Sequence, residues 1–286
     1  MSIKILVDSA SDISKEEAEE LGIDIIPLLV TIGDKDYLDG LNLSKEEFYN
    51  ILESNKELPK TSQINPYRFE EEFERLTSNG DDVLCITLSS NLSGTCVSAI
   101  SAAEKFNGKV HVVDSYNVAL GEKLLVLYAL NLIKEGMDIL SVVNELESVK
   151  SRIKILAVVD TLEYLKKGGR ISAATAFAGE LLNIKPIVSI VDGKVEMIGK
   201  VRGSKKAFRF IDEYVINCNG IDLTKPFGVL CSGNDSSKVN SYINHSKGTW
   251  NELSVKVSKL GCTIGSHVGP GAVGIAFFEP VKENSK

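Results

Sequence analysis

The chain of 286 residues has few of the side chains on which disulfide, metal and nucleic-acid binding depend. Its five cysteines form no C-x-x-C pair, so we expect neither a disulfide framework nor a thiolate zinc site. No two of the three histidines are close in sequence, which argues against a histidine-based metal site. The formal net charge of -7 argues against nucleic acid as a partner, because phosphate contacts need a basic surface.

Long hydrophobic runs are also missing. The most apolar stretches, 123–133 and 181–191, are well short of the roughly 18 residues that suggest a membrane-spanning helix. The first apolar run leads directly into Asp8 and lacks the long apolar core of a signal peptide. Together with the cysteine usage, these features predict a cytoplasmic protein.

Three motifs of common enzymes are absent or out of context. Residues 269–274 match G-x-G-x-x-G, but a strand-like run follows them, where a dinucleotide site needs a helix and a later acidic residue. No P-loop pattern occurs, and the G-x-S-x-G of a nucleophile elbow is also missing, since residues 265–269 have histidine at the centre. We therefore expect no cofactor.

The first half of the chain alternates short apolar runs with helical patterns. Strands are predicted at 3–7, 24–32, 83–88 and 110–113, and helices at 45–55, 66–77, 93–106, 119–135 and 138–151. A capping box at Ser14-Lys-Glu-Glu17 opens one more helix, and Pro27 predicts an edge position or an irregularity in the second strand. This alternation favours βαβ units around a mostly parallel sheet.

The second half is richer in strands. They are predicted at 154–159, 187–191, 194–199, 227–232 and 273–278, and Asp192-Gly193 between two of them suits a hairpin with a type I′ turn. No linker rich in proline, glycine or serine separates the halves, so the sequence places only a soft boundary near residue 150.

Three segments that lead into predicted helices carry more hydroxyl groups than their positions require. They are 8–12 (DSASD), 60–66 (KTSQINP) and 88–95 (LSSNLSGT). Ser90 or Ser93 would suffice to cap the helix at 93–106, and Asn65 before Pro66 would cap the helix at 66–77. Because ligands collect where such loops converge, the excess hydroxyls predict one anion or carboxylate site at the carboxyl edge of the sheet.

His267 and two basic clusters are further candidates. A lone histidine is more often structural, but glycines on both sides of His267 indicate a backbone shaped around it. The clusters at 166–170 (KKGGR) and 200–206 (KVRGSKK) compensate helix dipoles, or else dock a phosphate-bearing ligand or an acidic partner.

Taken in order, these segments resemble the DegV family, whose members include the fatty-acid-binding subunits of bacterial fatty-acid kinases. The matching segments span nearly the whole chain: 7–12 (VDSASD), 61–63 (TSQ), 88–95 (LSSNLSGT), 113–115 (VDS), 165–172 (LKKGGRIS), 182–186 (LNIKP), 200–203 (KVRG) and 267–271 (HVGPG). The resemblance implies a two-domain α/β fold with a long-chain fatty acid buried between the domains. Residues 1–151 would form a mostly parallel sheet flanked by helices, and residues 152–286 an α/β domain with a mixed sheet.

The resemblance also implies roles for particular residues. Thr61 and Ser93 would hydrogen-bond the carboxylate, with Ser62 and Gly94 beside them and His267 close by through water. Arg170 would belong to a surface that docks a partner, and the basic clusters add Lys167 and Arg202 as candidates for the same surface.

That partner, by the same resemblance, is a separate ATP-dependent kinase. It would convert the presented carboxylate into an acyl phosphate that feeds phospholipid synthesis. The chain itself would have no catalytic centre, and it would touch the membrane transiently for lipid exchange.

The sequence departs from the family pattern at three positions. Ile64 stands where proline is frequent, Cys96 where an aromatic residue is frequent, and Ser266 where threonine is common. These changes bear on the shape of the pocket, and hence on the preferred acyl chain.

Two other hypotheses remain open at this point. One is a stand-alone hydrolase or phosphotransferase that uses Ser93 with His267. The other is a carrier of a different amphiphile, such as an isoprenoid or a signalling lipid.

Overall fold

The computed structural model describes residues 2–54, 57–172, 183–248 and 255–281. The strands in these ranges are β1 (Ile3–Asp8), β2 (Asp24–Ile26), β3 (Leu29–Ile32), β4 (Lys35–Leu38), β5 (Lys60–Ser62), β6 (Asp82–Thr87), β7 (Val110–Asp114), β8 (Ile153–Val158), β9 (Ile184–Val191), β10 (Lys194–Arg202), β11 (Gly228–Cys231), β12 (Val257–Lys259) and β13 (Val273–Phe278). The α-helices are α1 (Lys15–Leu21), α2 (Lys45–Ser54), α3 (Pro66–Thr77), α4 (Thr95–Ala103), α5 (Leu120–Lys134), α6 (Ile139–Val149), α7 (Glu163–Lys167), α8 (Ser204–Asn217), α9 (Ser237–Ser246) and α10 (Cys262–Val268). None of these helices combines the length and apolar character that crossing a bilayer requires.

The first half forms a four-stranded sheet in the order β2-β1-β6-β7. All of its strand pairs are parallel, as the alternating pattern predicted. The helix start predicted at Ser14 is confirmed at α1, where the Ser14 side chain accepts a hydrogen bond from the Glu17 backbone N–H. The helix predicted at 45–55 is α2, and residue 55 lies outside the described residues.

The prediction of a single strand at 24–32 is wrong, because the segment divides into two strands at Pro27. Its first part, β2, belongs to the parallel sheet, and its second part, β3, joins an antiparallel sheet in the order β4-β3-β5. Proline cannot donate a ladder hydrogen bond, so the chain changes sheets there. The small sheet brings Thr61, on β5, opposite Val30, although the sequence had placed Thr61 in a loop.

The second half forms a six-stranded mixed sheet in the order β10-β9-β8-β13-β11-β12. Only the β11–β12 pair is parallel. The predicted hairpin is confirmed between β9 and β10, where Asp192 and Gly193 have φ angles of 47° and 75°. Positive φ at both central residues is what a type I′ turn requires.

One hydrophobic core connects the two sheets. Helix α5 packs against β6 of the first sheet and against β8 and β13 of the second. Residues from both sheets, such as Ile5 and Phe278, therefore belong to the same buried cluster. The division into domains at residues 151 and 152 stays a prediction. Below, "N-terminal half" means residues up to Arg152 and "C-terminal half" means residues from Ile153 onwards.

Candidate functional site

The structure brings Thr61 and His267 into direct contact across the two halves. Thr61 Oγ1 lies 2.8 Å from His267 Nε2, although 206 residues separate them in sequence. Strand β5 positions Thr61, and the last turn of α10 positions His267. Both side chains are half-buried, so their polar atoms meet in a place with little water.

The imidazole of His267 is neutral at ordinary pH. Burial, with a contribution from the nearby positive charge of Arg170, lowers the pKa of His267 to about 4. Its Nδ1 atom is buried and has no hydrogen-bond partner among the described residues. In the tautomer that has its proton on Nε2, His267 donates to Thr61 Oγ1, and the Thr61 hydroxyl is left to donate its own proton elsewhere.

Gly168 sets how closely the chain approaches this imidazole. A β-carbon added at Gly168 would lie 2.2 Å from His267 Nδ1 and 2.9 Å from His267 Cε1. No side chain fits at that distance, so the ring of His267 rests directly on the backbone at the end of α7.

The start of α4 differs from the prediction. The helix begins at Thr95, with Gly94 as its N-cap and no side-chain capping bond, so neither Ser90 nor Ser93 is the cap. Ser93 Oγ instead lies 2.9 Å from Thr95 Oγ1 and accepts from the Thr95 backbone N–H at 3.3 Å. Because Gly94 provides the turn into the helix, the hydroxyl of Ser93 is available to line a cavity.

A second serine of this loop joins the two halves. Ser89 Oγ donates to the backbone carbonyl of Gly193 at 2.8 Å, across the hairpin turn between β9 and β10. The Asn91 side chain donates to the carbonyl of Asp192 at 2.9 Å. The hydroxyl of Ser89 therefore has a structural role, and Ser93, which lines the cavity, is the candidate in this loop for binding a carboxylate.

Gly94 allows a close approach of the neighbouring loop. A β-carbon there would lie 2.1 Å from Gln63 Oε1. Gln63 was not singled out from the sequence, yet it lines the same cavity as Ser62 and donates to Ser98 Oγ at 3.3 Å. Ser62 is exposed at the edge of this cavity.

Thr61, Ser93 and His267 line one cavity of about 60 Å³. A second cavity of about 60 Å³ has almost entirely apolar walls, contributed by β8, β9 and α10 among others. Five apolar residues line both cavities: Val118, Leu165, Val195, Ile264 and Val268. The site is therefore amphipathic, with a polar end at the three predicted residues and an apolar end between the two halves.

The glycine-rich segment before His267 is a helix and not an irregular loop. Within α10, Gly265 packs so closely on α2 that an added β-carbon would lie 2.6 Å from Phe48 Cε1. Thr263 lies one turn before His267, is 3% exposed, and lines the polar cavity. Its Oγ1 has no hydrogen-bond partner among the described residues. Sequence reasoning missed Thr263 because it did not predict this helix, whose period places both residues on one face.

Arg170 lies in the wall of the cavity and not simply on an outer surface. Its guanidinium donates to the carbonyl of Leu92 at 3.2 Å and to the carbonyl of Gly168 at 2.6 Å. It lines both the polar cavity and an open groove of about 660 Å³ outside it. The side chain thus stands between the candidate head-group site and the protein surface.

The three predicted docking residues lie in different settings in the structure. Lys167 is exposed and pairs with Glu163 at the end of α7. Arg202 is exposed at the far end of β10, five residues beyond Met197, the last residue of this strand at the groove, which is roughly 17 Å along a strand. Only Arg170 lines the groove itself.

The features of a hydrolytic or metal centre are missing from the described residues. Within them no hydrogen bond joins Ser93 to His267, and no carboxylate orients the His267 Nδ1 atom. Those are the two contacts of a serine–histidine–acid triad. Nor do the described histidines, cysteines and carboxylates form a group of three that could hold a metal ion.

Comparison with known proteins agrees with the resemblance. A family model described as "Uncharacterised protein, DegV family" matches residues 2–280. A DegV domain-containing protein of Caldanaerobacter subterraneus is 38% identical over 280 residues, which cover 97% of this chain and 99% of that protein.

Solved structures share the fold over almost the whole chain. One, described as the fatty acid binding of a DegV family protein from Thermus thermophilus, superposes with a TM-score of 0.87 at 33% identity and covers 98% of this chain and 100% of that one. Another, described as a stearic acid-binding protein from Eubacterium ventriosum, has a TM-score of 0.85 at 25% identity, with 98% of each chain covered. The chain belongs to the DegV family.

Proposed function

We propose that the protein binds a long-chain fatty acid between its two halves and holds the carboxylate at Thr61 and Ser93. The observation that carries this proposal is a pair of cavities that share five apolar lining residues, the first of which also has the side chains of Thr61, Ser93 and His267 in its wall. The relatives from Thermus thermophilus and Eubacterium ventriosum, described as binding fatty acids, support it.

Neutral donors suit the proposed role of the polar end. The neutral His267 ring orients the Thr61 hydroxyl, and Ser93 supplies a second hydroxyl. The guanidinium of Arg170 already donates to two backbone carbonyls. A carboxylate held by hydroxyl groups keeps more of its nucleophilicity than one held in a bidentate arginine pair, because tight binding of the ground state slows its reaction.

The apolar end supplies the affinity. Burial of one methylene contributes about 0.8 kcal/mol, so an acyl chain of about 16 carbons gains on the order of 10 kcal/mol before the costs of immobilisation. Pockets for small ligands typically measure about 300–1,000 Å³, far more than the two cavities of about 60 Å³ each. Entry of the acid therefore has to move apart the apolar side chains that line both cavities.

A stand-alone hydrolase with Ser93 as nucleophile fits the geometry less well. His267 Nε2 faces Thr61 and not Ser93, and a histidine whose pKa is about 4 is a weak general base near neutral pH. These two observations favour a binding role over a catalytic one.

Removal of either hydroxyl is expected to weaken acid binding without unfolding the protein. Ser93→Ala and Thr61→Val each delete one donor to the carboxylate, and a charge-assisted hydrogen bond contributes about 1.5–3 kcal/mol. We expect the Kd for stearic acid, measured by displacement of a fluorescent fatty acid, to rise roughly 10- to 100-fold in each variant.

The matched control is Ser90→Ala, in the same loop but exposed and outside the cavity lining. It should leave the Kd unchanged. Wild-type affinity in both Ser93→Ala and Thr61→Val would remove these hydroxyls from the head-group site.

We further propose that the bound carboxylate is presented to a separate ATP-dependent kinase, which forms an acyl phosphate for phospholipid synthesis. The open groove outside the polar cavity supports this, because Leu92, Arg170 and Val195 line both. A phosphoryl donor or an acidic loop of the kinase could reach the head group there, beside Arg170 and Lys194. Transient membrane contact would serve the exchange of lipid.

Lys167 provides a test of the docking surface that leaves the cavity intact. Its side chain is exposed and pairs only with Glu163 among the residues described, so Lys167→Ala should not change the Kd for the acid. If the kinase docks beside Arg170, the variant should lower acyl phosphate formation several-fold in a reaction with kinase and ATP. Arg202→Ala, at the far end of β10, should have a smaller effect. Unchanged rates in Lys167→Ala would exclude the end of α7 from the docking surface.

A further inference from the structure

Four side chains of the N-terminal half hold five successive residues of the C-terminal half. The segment runs from residue 259 to residue 263, at the end of β12 and the start of α10. Lys45 Nζ donates to the Lys259 carbonyl at 2.7 Å, and Tyr49 Oη donates to the Leu260 carbonyl at 3.2 Å. Asp12 Oδ1 accepts from the Gly261 N–H at 2.6 Å. Asp39 accepts from the N–H groups of Cys262 and Thr263 at 3.0 Å each. We call these four side chains the polar clamp.

The clamp matches the chemistry of each backbone group that it binds. An ammonium and a phenol donate to the two carbonyls, and two carboxylates accept from the three N–H groups. Free N–H groups at the start of a helix favour acidic partners, and here those partners come from the other half of the protein. Asp12 is 3% exposed and Asp39 is 4% exposed, so loss of either would leave buried N–H groups without an acceptor.

Close packing adds to these polar contacts. An added β-carbon at Gly265 would lie 2.6 Å from Phe48 Cε1 and 2.7 Å from Tyr49 Oη, so α10 rests directly on α2. The helix has seven residues, about 10 Å in length, and its last turn carries His267. A change at the clamped end of so short a helix is therefore transmitted to His267.

We propose that Asp39 and Asp12 are positioning residues that hold α10 against the N-terminal half and thereby set the place of His267 beside Thr61. The consequence for acid affinity rests on the proposed function, whereas the placement of His267 does not. Without the clamp, the start of α10 is no longer fixed to the N-terminal half. His267 then moves away from Thr61, and the Thr61 hydroxyl loses the imidazole that orients it.

Asp39 is the better of the two carboxylates to test. Burial raises the pKa of Asp12 to about 7, so its charge changes near neutral pH, and it lies among Asp8, Lys45 and Lys123 as well as Asp39. Asp39 accepts two of the three N–H groups and also receives the Ser9 hydroxyl at 3.3 Å.

The first measurement needs no fatty acid. The imidazole signals of the three histidines are followed by NMR as a function of pH in the intact protein, with His267 assigned by its loss in His267→Gln. In the wild type, the His267 signal should not titrate above about pH 5, because burial holds its pKa near 4. In Asp39→Ala it should titrate close to the ordinary value of about 6.5, because the ring is released from its buried place.

Asp138→Ala is the matched control. Asp138 also accepts from two N–H groups at the start of a helix, α6, which carries no residue of the site. It should leave the His267 titration and the Kd for stearic acid unchanged, whereas Asp39→Ala should raise that Kd about tenfold. An altered His267 titration with an unchanged Kd would support the clamp and contradict the proposed function.

Two milder variants keep the test decisive if Asp39→Ala does not fold. Asp39→Asn retains one acceptor, and Tyr49→Phe removes the hydroxyl that donates to the Leu260 carbonyl and that also bonds the Gly233 backbone. Each should move the His267 titration part of the way. If every folded variant of Asp39 and Tyr49 keeps the wild-type titration of His267, the clamp does not position this residue and the inference is overturned.

Discussion

Replacement of Gly168 by alanine is expected to reduce fatty-acid affinity by roughly 10- to 100-fold. The added methyl group would lie 2.2 Å from His267 Nδ1, well inside van der Waals contact, so the imidazole has to leave its position. The 2.8 Å contact with Thr61 is then lost, and with it the orientation of the hydroxyl that we assign to the carboxylate.

The backbone at Gly168 makes this a local effect. Its φ angle of -74° lies in the right-handed helical region that alanine adopts without strain. We therefore expect a small loss of stability beside a large loss of affinity. The melting temperature should fall by only a few degrees, at about 2–4 °C for each kcal/mol of stability lost, while the Kd rises by one to two orders of magnitude. Displacement of a fluorescent fatty acid, together with a thermal melt, measures both quantities.

Gly248→Ala is the control for this substitution. A β-carbon at Gly248 meets no atom within 4 Å, and the residue lies outside the site. Its affinity should equal that of the wild type. Wild-type affinity in Gly168→Ala would mean that the position of His267 does not matter for the head group.

The second large effect is expected when the length of the fatty acid is varied. If the acyl chain enters the apolar end of the site, each added methylene should increase affinity about fourfold, which is 0.8 kcal/mol. Octanoic and stearic acid differ by about ten methylenes, so their Kd values should differ by several orders of magnitude even after the costs of ordering the chain. Competition between the two acids for one fluorescent probe gives the ratio directly.

A head-group mutation separates the two ends of the site. In Ser93→Ala every acid should bind more weakly by the same factor, so the slope of log Kd against chain length should stay as in the wild type. A slope near zero would show that the apolar walls shared by the two cavities do not hold the chain, and would favour a smaller or more polar ligand.

Much of the fold could be predicted because its signals are local. The helix cap at Ser14 and the hairpin at Asp192-Gly193 each depend on a few neighbouring residues, and both are confirmed. Pro27 predicted an irregularity, but not that β2 and β3 belong to different sheets. In its own sheet β3 pairs with β4 across a short turn and with β5, which lies some thirty residues further along the chain.

The site could be predicted as a set of residues but not as an arrangement. Hydroxyl-rich loops and the family resemblance named Thr61, Ser93 and His267, which the structure places around one cavity. The partners that fix them were missed: Gly168 under the imidazole and the unpredicted helix that carries Thr263. Those contacts join residues from distant parts of the chain, so no local pattern encodes them.

The basic residues show the same limit. The basic clusters and the family resemblance together predict a docking surface at Arg170, Lys167 and Arg202. In the structure Arg170 binds two carbonyls at the cavity wall, Lys167 pairs with Glu163, and Arg202 lies at the end of β10. Charge in a sequence indicates that a surface is basic, whereas the fold decides which charges share it.

The most direct test of fatty-acid binding is the mass of the intact protein under native conditions, followed by identification of any extracted lipid. The protein as purified, or after removal of lipid and addition of stearic acid, should show one bound long-chain fatty acid per chain. Ser93→Ala should lose this acid at a lower collision energy than the wild type. A wild-type protein that carries no fatty acid and takes up none on addition would contradict the account.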